Sequence, residues 1–281
     1  MIRRLFLFAA YDRDGVAGPS LLYFLKSLDA FGDVVFVSDA SMPEQEMDKL
    51  RPYCIHVHAE RHGEYDFGSY KRAFSYAQTE LDLESYDLLY MVNDSVFGPL
   101  AGLSETFARM ESLEKPAFSL VLNPHRKHPH LQSWFIGLRR EVFLAEWFSA
   151  FLESVSAQDS KEDICVKYET GLTGLLESRG IAYDAPFRLS GRQIYNSVAG
   201  IWKKGIPFIK KSSFTRHNGS LGSQISFVLD KAGTAAGPVL ADAERLYGED
   251  YMKRLLSDNF FRSSLRYLVY LVSKLGFRRI S

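Results

Sequence analysis

The stretch Tyr86-Asp87-Leu88-Leu89-Tyr90-Met91-Val92-Asn93-Asp94-Ser95-Val96-Phe97-Gly98-Pro99-Leu100 decides how the chain is read. Leu88 to Val92 is an unbroken apolar run of strand length, the pattern of a strand covered on both faces. It stops on Asn93-Asp94, and a Gly98-Pro99 turn follows. Open α/β sheets bind their ligands at the carboxyl ends of the strands. Asp94 therefore has two readings on local sequence. It is a ligand-facing carboxylate at a strand end, or a residue that caps the next segment.

The residues before this stretch set its context. Leu5 to Ala10 is a second continuous apolar run and predicts strand 1. Pro19 opens a helix over Ser20 to Ala30, with Leu21, Leu22, Leu25 and Leu28 at helical spacing. Asp33 to Ser38 predicts strand 2, Met42 to Leu50 a short helix, and Cys54 to Val57 strand 3. Strand and helix in strict alternation point to an α/β architecture built on a parallel sheet.

The totals exclude several classes. Lys and Arg number 34 and so do Asp and Glu, so a general nucleic-acid binder is not expected. Two cysteines far apart, Cys54 and Cys165, give no disulfide framework and too few thiolates for a cysteine-built metal site. Met1 to Asp12 has an apolar run too short for a signal peptide, with no small-residue cleavage site. No stretch reaches the roughly 18 apolar residues of a membrane span, so the expectation is a protein not integral to a membrane.

Further along lie three polar segments with chemical potential. Glu60 to Lys71 is a glycine-bearing loop that feeds a helix over about Gly68 to Leu81. Unpaired N–H groups at a helix start suit a phosphate or a sugar hydroxyl, and Asp66 serves equally as a plain cap. A helix over Leu103 to Met110 and strand 5 over Ala117 to Leu122 come next. Asn123 to Ser133 is basic and carries His125, His128 and His130. Pro129 breaks any helical ligand spacing, so these histidines are read as surface or substrate contacts rather than a zinc site. Trp134 to Arg139 predicts a strand, Glu141 to Ser154 an aromatic core helix, and Lys161 to Arg179 a helix, possible to break in two, with Glu169 in its middle. Ile181 to Ala185 reads as a short edge strand. Glu169 is a surface carboxylate or a buried base on this pattern alone.

The last segment, Asp258 to Ser281, is aromatic and basic. It suits a helix lying in an interface near anionic lipid, and equally a helix packed on the body or on a second subunit.

Three segments together resemble the rhamnan synthesis F family of bacterial glycosyltransferases. They are Asp66-Phe67-Gly68-Ser69-Tyr70-Lys71, Asn93 to Leu100, and His130-Leu131-Gln132-Ser133-Trp134-Phe135. Tyr168 to Thr173 and Pro207-Phe208-Ile209-Lys210-Lys211 agree with that pattern in order and spacing. The resemblance covers about residues 1 to 212. His62 and Glu64 depart from it, standing near places where an Asn and a Gly are usual.

The resemblance implies a Rossmann-like GT-A glycosyltransferase fold with a mostly parallel central sheet over residues 1–212, and a helical C-terminal region over 213–281. It implies inverting transfer from a nucleoside-diphosphate sugar, with L-rhamnose from dTDP-L-rhamnose as the expected donor. Glu169 would be the general base. Asp66, Gly68, Tyr70, Asn93, Asp94, Lys210 and Lys211 would bind donor or nucleotide, with the lysines on the diphosphate. His130 and Gln132 would line the sugar or acceptor site. Related enzymes often show two carboxylates after strand 4, and Asn93-Asp94-Ser95 offers one. Mg²⁺ or Mn²⁺ held by Asp94 and diphosphate oxygens, and transfer without a metal, are both open at this point. The acceptor would be a lipid-linked or growing surface polysaccharide, O-antigen or capsule, met at the inner face of the cytoplasmic membrane, with the C-terminal helix as peripheral contact. A non-catalytic carbohydrate-binding or scaffold subunit of a synthesis complex is the alternative. A nucleotidyl- or phosphotransferase is a further one, needing more carboxylates than the pattern supplies.

Overall fold

The computed structural model describes residues 2–126, 128–216 and 220–257, and Leu268. The expected C-terminal helix over 258–281 lies, Leu268 apart, outside the described residues. The chain divides into two compact units. One comprises Met1–Ser95 and Gly102–Ser190, the other Val96–Ala101 and Gly191–Ser281. The division therefore falls at 190/191, with 96–101 exchanged.

The first unit opens with β1 (Arg4–Ala10), α1 (Pro19–Asp29), β2 (Asp33–Ser38), α2 (Glu44–Asp48), β3 (His56–Ala59), α3 (Tyr65–Glu80) and β4 (Leu88–Asn93). The chain then lends β5 (Val96–Phe97) to the second unit. It continues in the first with α4 (Ser104–Glu111), β6 (Ala117–Ser119), β7 (Val121–Asn123), β8 (His130–Leu131) and β9 (Phe135–Arg139). There follow α5 (Arg140–Phe143), α6 (Glu146–Glu153), α7 (Lys161–Ile164), a π-helical segment (Cys165–Thr170), α8 (Gly171–Ser178), β10 (Tyr183–Asp184) and β11 (Phe187–Arg188).

The main sheet has the order β10-β6-β9-β4-β1-β2-β3. β1 lies between β2 and β4, parallel to both, with Leu7 opposite Val35 on one side and Met91 on the other. β2–β3 and β6–β10 are also parallel, whereas β9 runs antiparallel to both β4 and β6. The result is a mixed α/β fold with a largely parallel central sheet, as expected. The chain builds β2 and β3 on one side of β1 and then crosses to place β4 on the other. That reversal opens a crevice at the carboxyl ends of β1 and β4.

Alternation along the central strands gives the sheet two different faces. Leu5, Leu7, Ala9, Val35, Val37, Leu89, Met91, Ile136 and Leu138 form an aliphatic face packed with Phe67, Tyr70 and Phe74 of α3, Phe148 of α6 and Leu172 of α8. The opposite face is aromatic. Phe6 stacks on Tyr90 at 5.3 Å, Phe8 meets Phe24 of α1 edge-on at 5.3 Å, and Phe107 of α4 meets Tyr90 at 5.3 Å. Gly137 of β9 is required there, because a Cβ would stand 2.3 Å from Phe118 and 2.9 Å from Tyr90.

Three elements differ from expectation. The single strand read over 117–122 is two, β6 and β7, which belong to different sheets; β7 joins β8 and β11 in a three-stranded one. Between them Leu120 donates its N–H to Phe135 O, and buried Ser119 Oγ caps Val121 O at 2.7 Å. The helix read over 141–154 breaks after Phe143 into α5 and α6. β3 begins two residues later than expected, since its residues are only half-buried and its apolar signal is weak.

The second unit has its own core. α9 (Gly191–Asn196), α10 (Val198–Lys203), β12 (Ile209–Lys210), α11 (Leu221–Ala232), α12 (Ala236–Tyr247) and α13 (Glu249–Leu256) follow in order. β12 pairs antiparallel with β5, setting Lys210 opposite Val96. Phe97, Phe214, Leu221, Ile225, Val239 and Met252 are among the residues that fill the core.

Candidate active site

Asn93, the last residue of β4, is 1% exposed and organises the crevice. Its Nδ2 donates to Asp66 Oδ2 at 3.0 Å. Its Oδ1 accepts the N–H and the hydroxyl of Ser95, at 3.1 and 2.6 Å. Asp66 lies in the first turn of α3, where the helix dipole favours a carboxylate. Asp94 is tied to the neighbouring strand through its N–H, which donates to Ala9 O at 3.1 Å, and its side chain is partly exposed.

Tyr70 stands one helical turn after Asp66, on the same face of α3. It is 0% exposed, and its hydroxyl donates to Ser133 O at 3.0 Å. Burial pushes this phenol well above its ordinary range. The carboxylates of Asp66, Glu169 and Asp94 push it the same way, against a hydrogen bond from Asn93. One hydroxyl thus feels four of the residues singled out in the sequence. Ser133 in turn donates its N–H to Glu169 Oε1 at 2.9 Å.

Glu169 does not sit on a plain α-helix. Cys165–Thr170 is π-helical, between α7 and α8. Such widened turns recur at functional sites because they turn a side chain out of the regular helical register. Tyr168 beside it is buried and anchored, accepting the N–H of Ser156 at 2.9 Å, while Glu169 is half-buried.

His130 and Gln132 are joined to each other. His130 Nδ1 donates to His128 O at 2.9 Å, which leaves Nε2 to accept from Gln132 Nε2 at 3.0 Å. Between them Leu131 donates its N–H to Thr173 Oγ1 of α8 at 3.1 Å. Gln132 is 7% exposed and His130 half-buried. Gly68 is a packing position, because a Cβ there would meet Glu64 Cβ at 2.3 Å and His62 at 2.9 Å. Lys210 and Lys211 belong to the second unit, where Lys211 Nζ lies 5.5 Å from the centre of the Phe97 ring. Asp66, Tyr70, Asn93, Asp94 and Glu169 are therefore brought together within the first unit.

Sequence reasoning missed Asp39. It follows β2 as Asp94 follows β4, so the same strand-end signal could have found it. It is 4% exposed. Oδ1 accepts the N–H groups of His62 and Gly63, at 2.9 and 2.8 Å, and Oδ2 that of Tyr65 at 3.1 Å. Arg61 pairs with it at 3.1 Å and stands 5.3 Å over the ring of Tyr11, an exposed aromatic just after β1. Ser133 was missed as well, because it acts through backbone groups that no side-chain pattern reveals.

A metal ion held by protein groups alone does not fit this site. Among the described residues no three His, Cys, Asp or Glu side chains form a group that could hold one. Next to Asp94, the Asn93 oxygen already accepts two donors from Ser95. The chemistry derived below therefore runs through the chain's own residues.

The family profile described as Rhamnan synthesis protein F matches residues 34–278, most of the chain. The chain belongs to that family. The match runs through both compact units and includes every site residue expected from the sequence. A Sinorhizobium fredii protein, the uncharacterized protein y4gN, is 25% identical over 144 residues, which are 50% of this chain and 37% of that one. The chain thus spans little more than a third of that relative's length. Among solved structures, the glycosyltransferase GlyE of Streptococcus pneumoniae aligns with a TM-score of 0.42 at 9% identity, over 98% of this chain and 64% of that one. A nucleotide-diphospho-sugar transferase from Desulfovibrio desulfuricans, so described without biochemical assignment, aligns with a TM-score of 0.39 at 10% identity, over 83% and 99%. Likenesses at these scores assign no chemistry to this chain.

Proposed function

We propose that this member of the rhamnan synthesis F family is an inverting glycosyltransferase that moves L-rhamnose from dTDP-L-rhamnose onto a growing bacterial surface polysaccharide, O-antigen or capsule. The observation that carries the reading is the placing of Glu169. Its half-buried carboxylate is fixed by the Ser133 N–H and shares the surroundings of one tyrosine hydroxyl with Asp66, Asn93 and Asp94, at the sheet crevice.

In this reading Glu169 takes the proton from an acceptor hydroxyl as that oxygen bonds to the anomeric carbon. The bond from that carbon to the diphosphate breaks on the opposite face, and the electron pair leaves with dTDP. Asp66 and Asn93 orient the donor, and His130 with Gln132 lines the sugar or acceptor side. Asp94 faces the departing diphosphate from the end of β4. A lipid-linked acceptor would bring the chain to the inner face of the cytoplasmic membrane. Among the described residues no helix is long and apolar enough to cross a membrane.

The test is Glu169→Gln, assayed for sugar release and transfer from dTDP-L-rhamnose. Transfer should be lost but for a small residual rate while dTDP binding stays nearly intact. Wild-type turnover in Glu169→Gln would remove the base from the scheme. A thermal-shift series with nucleoside diphosphates and sugar nucleotides, with and without Mg²⁺ or Mn²⁺, tests the donor. Stabilisation of about 2.7 kcal/mol is expected at a hundredfold excess over Kd. No response to any nucleotide would sink the transferase reading and favour a scaffold.

A further inference from the structure

We infer that Tyr70, which is too deeply buried to touch any ligand, is a positioning residue that fixes the backbone of Ser133 and through it the carboxylate of Glu169. The inference rests on the proposed role of Glu169 for its kinetic consequence, but not for its geometry.

The hydrogen bonds run in a single direction. The N–H and hydroxyl of Ser95 donate to Asn93 Oδ1. The Asn93 amide has two hydrogens to give. One goes to Asp66 Oδ2 at 3.0 Å. The Tyr70 hydroxyl donates its proton to Ser133 O at 3.0 Å. Ser133 N–H ends the chain on Glu169 Oε1 at 2.9 Å. The backbone of Ser133 is therefore held from its carbonyl side by α3 and presents its N–H to the π-helical segment.

Burial explains why a tyrosine serves here. Its phenol is pushed well above its ordinary range, so it stays a neutral donor across physiological pH. Its ring packs edge-on to Phe67 at 5.6 Å within the aliphatic face of the core, which fixes the hydroxyl in place. A phenylalanine would keep that packing and lose only the hydrogen bond to Ser133 O.

The experiment compares wild type, Tyr70→Phe, Glu169→Gln and the double variant. The first readout is amide hydrogen exchange and needs no substrate. In Tyr70→Phe the Ser133 amide should exchange about tenfold faster, the scale of one lost hydrogen bond, while the amides of Leu5 to Ala9 in β1 keep their wild-type rates. The second readout is turnover of dTDP-L-rhamnose. Tyr70→Phe should lower kcat roughly 10- to 100-fold with the donor KM changed less than about twofold, and should add nothing to Glu169→Gln. A general loosening would slow both backgrounds by the same factor.

Unchanged Ser133 exchange in Tyr70→Phe overturns the inference, and so does an equal slowing in both backgrounds. If Glu169→Gln keeps full turnover, the base assignment fails and the exchange readout alone decides the positioning role. If the β1 amides of Tyr70→Phe also speed up, the rise at Ser133 is read against the rise in β1, and an equal rise in both overturns the inference. A larger rise at Ser133 than in β1 supports it.

Discussion

Asp39 is a carboxylate spent on backbone. Nearly all its acceptor capacity goes to the N–H groups of His62, Gly63 and Tyr65 and to Arg61. These donors lie in the turn that starts α3, where Tyr65 takes a φ of 55° that a non-glycine residue rarely adopts. Asp39→Ala would orphan them, and urea unfolding should show a loss of roughly 2–4 kcal/mol. The same loop holds His62, whose side chain is 0% exposed. Its Nδ1 accepts the N–H of Glu64 at 3.1 Å, and its Nε2 bonds Ser69 Oγ at 3.0 Å. Burial lowers its affinity for a proton below the ordinary value of 6.5. Asp39 and the Glu64 and Glu60 carboxylates oppose that, while Arg72 assists it. The unfolded chain therefore takes up this proton at a higher pH than the folded one. The stability that neutral His62 contributes is present above about pH 6.5 and is lost as pH falls through the lowered value. In His62→Gln the decline of the urea midpoint below pH 6.5 should be shallower than in wild type. An identical slope would show that other groups carry it.

At the scale of elements, the π-helical turn is the feature with most leverage. An α-helix advances about 100° per residue, so removing one residue from Cys165–Thr170 would regularise the turn and swing Glu169 out of reach of Ser133 N–H. Deleting Lys167, whose side chain is exposed, should leave the far-UV circular dichroism near wild type and abolish transfer. A retained transfer rate would show that Glu169 needs no such register. Gly137→Val is expected to cost about 1–3 kcal/mol in thermal or urea unfolding, since β9 has no room beside Phe118 and Tyr90.

These elements also show what a sequence can and cannot reveal. β1, β2 and β4 were readable because burial on both faces leaves unbroken apolar runs. The split of 117–122 was not, because changing sheets at Leu120 leaves every residue apolar or small. The π turn was hidden for a similar reason: it preserves helical composition and alters only register. Asp66, Asn93 and Asp94 stood out by their places at strand and helix ends, and Glu169 by family pattern. The link from α3 to Glu169 runs through a buried phenol and the backbone of Ser133, and its meaning exists only once α3 and the 131–134 segment are side by side.

For the whole molecule, the exchange of 96–101 has a direct test. Residues 191–281 expressed alone would lack β5, the partner of β12, and would lack Phe97 and Leu100 from their core. That fragment should show no cooperative melting, and a well-dispersed spectrum from it would refute the expectation. The cost is that of an open sheet edge and an unfilled core at once. Inheritance feels the same constraint. A crossover in the gene near codon 191 would join a second unit to a strand evolved for another partner. The two units are thus bound to descend together, and changes in one are filtered by the six residues it borrows from the other's stretch of chain.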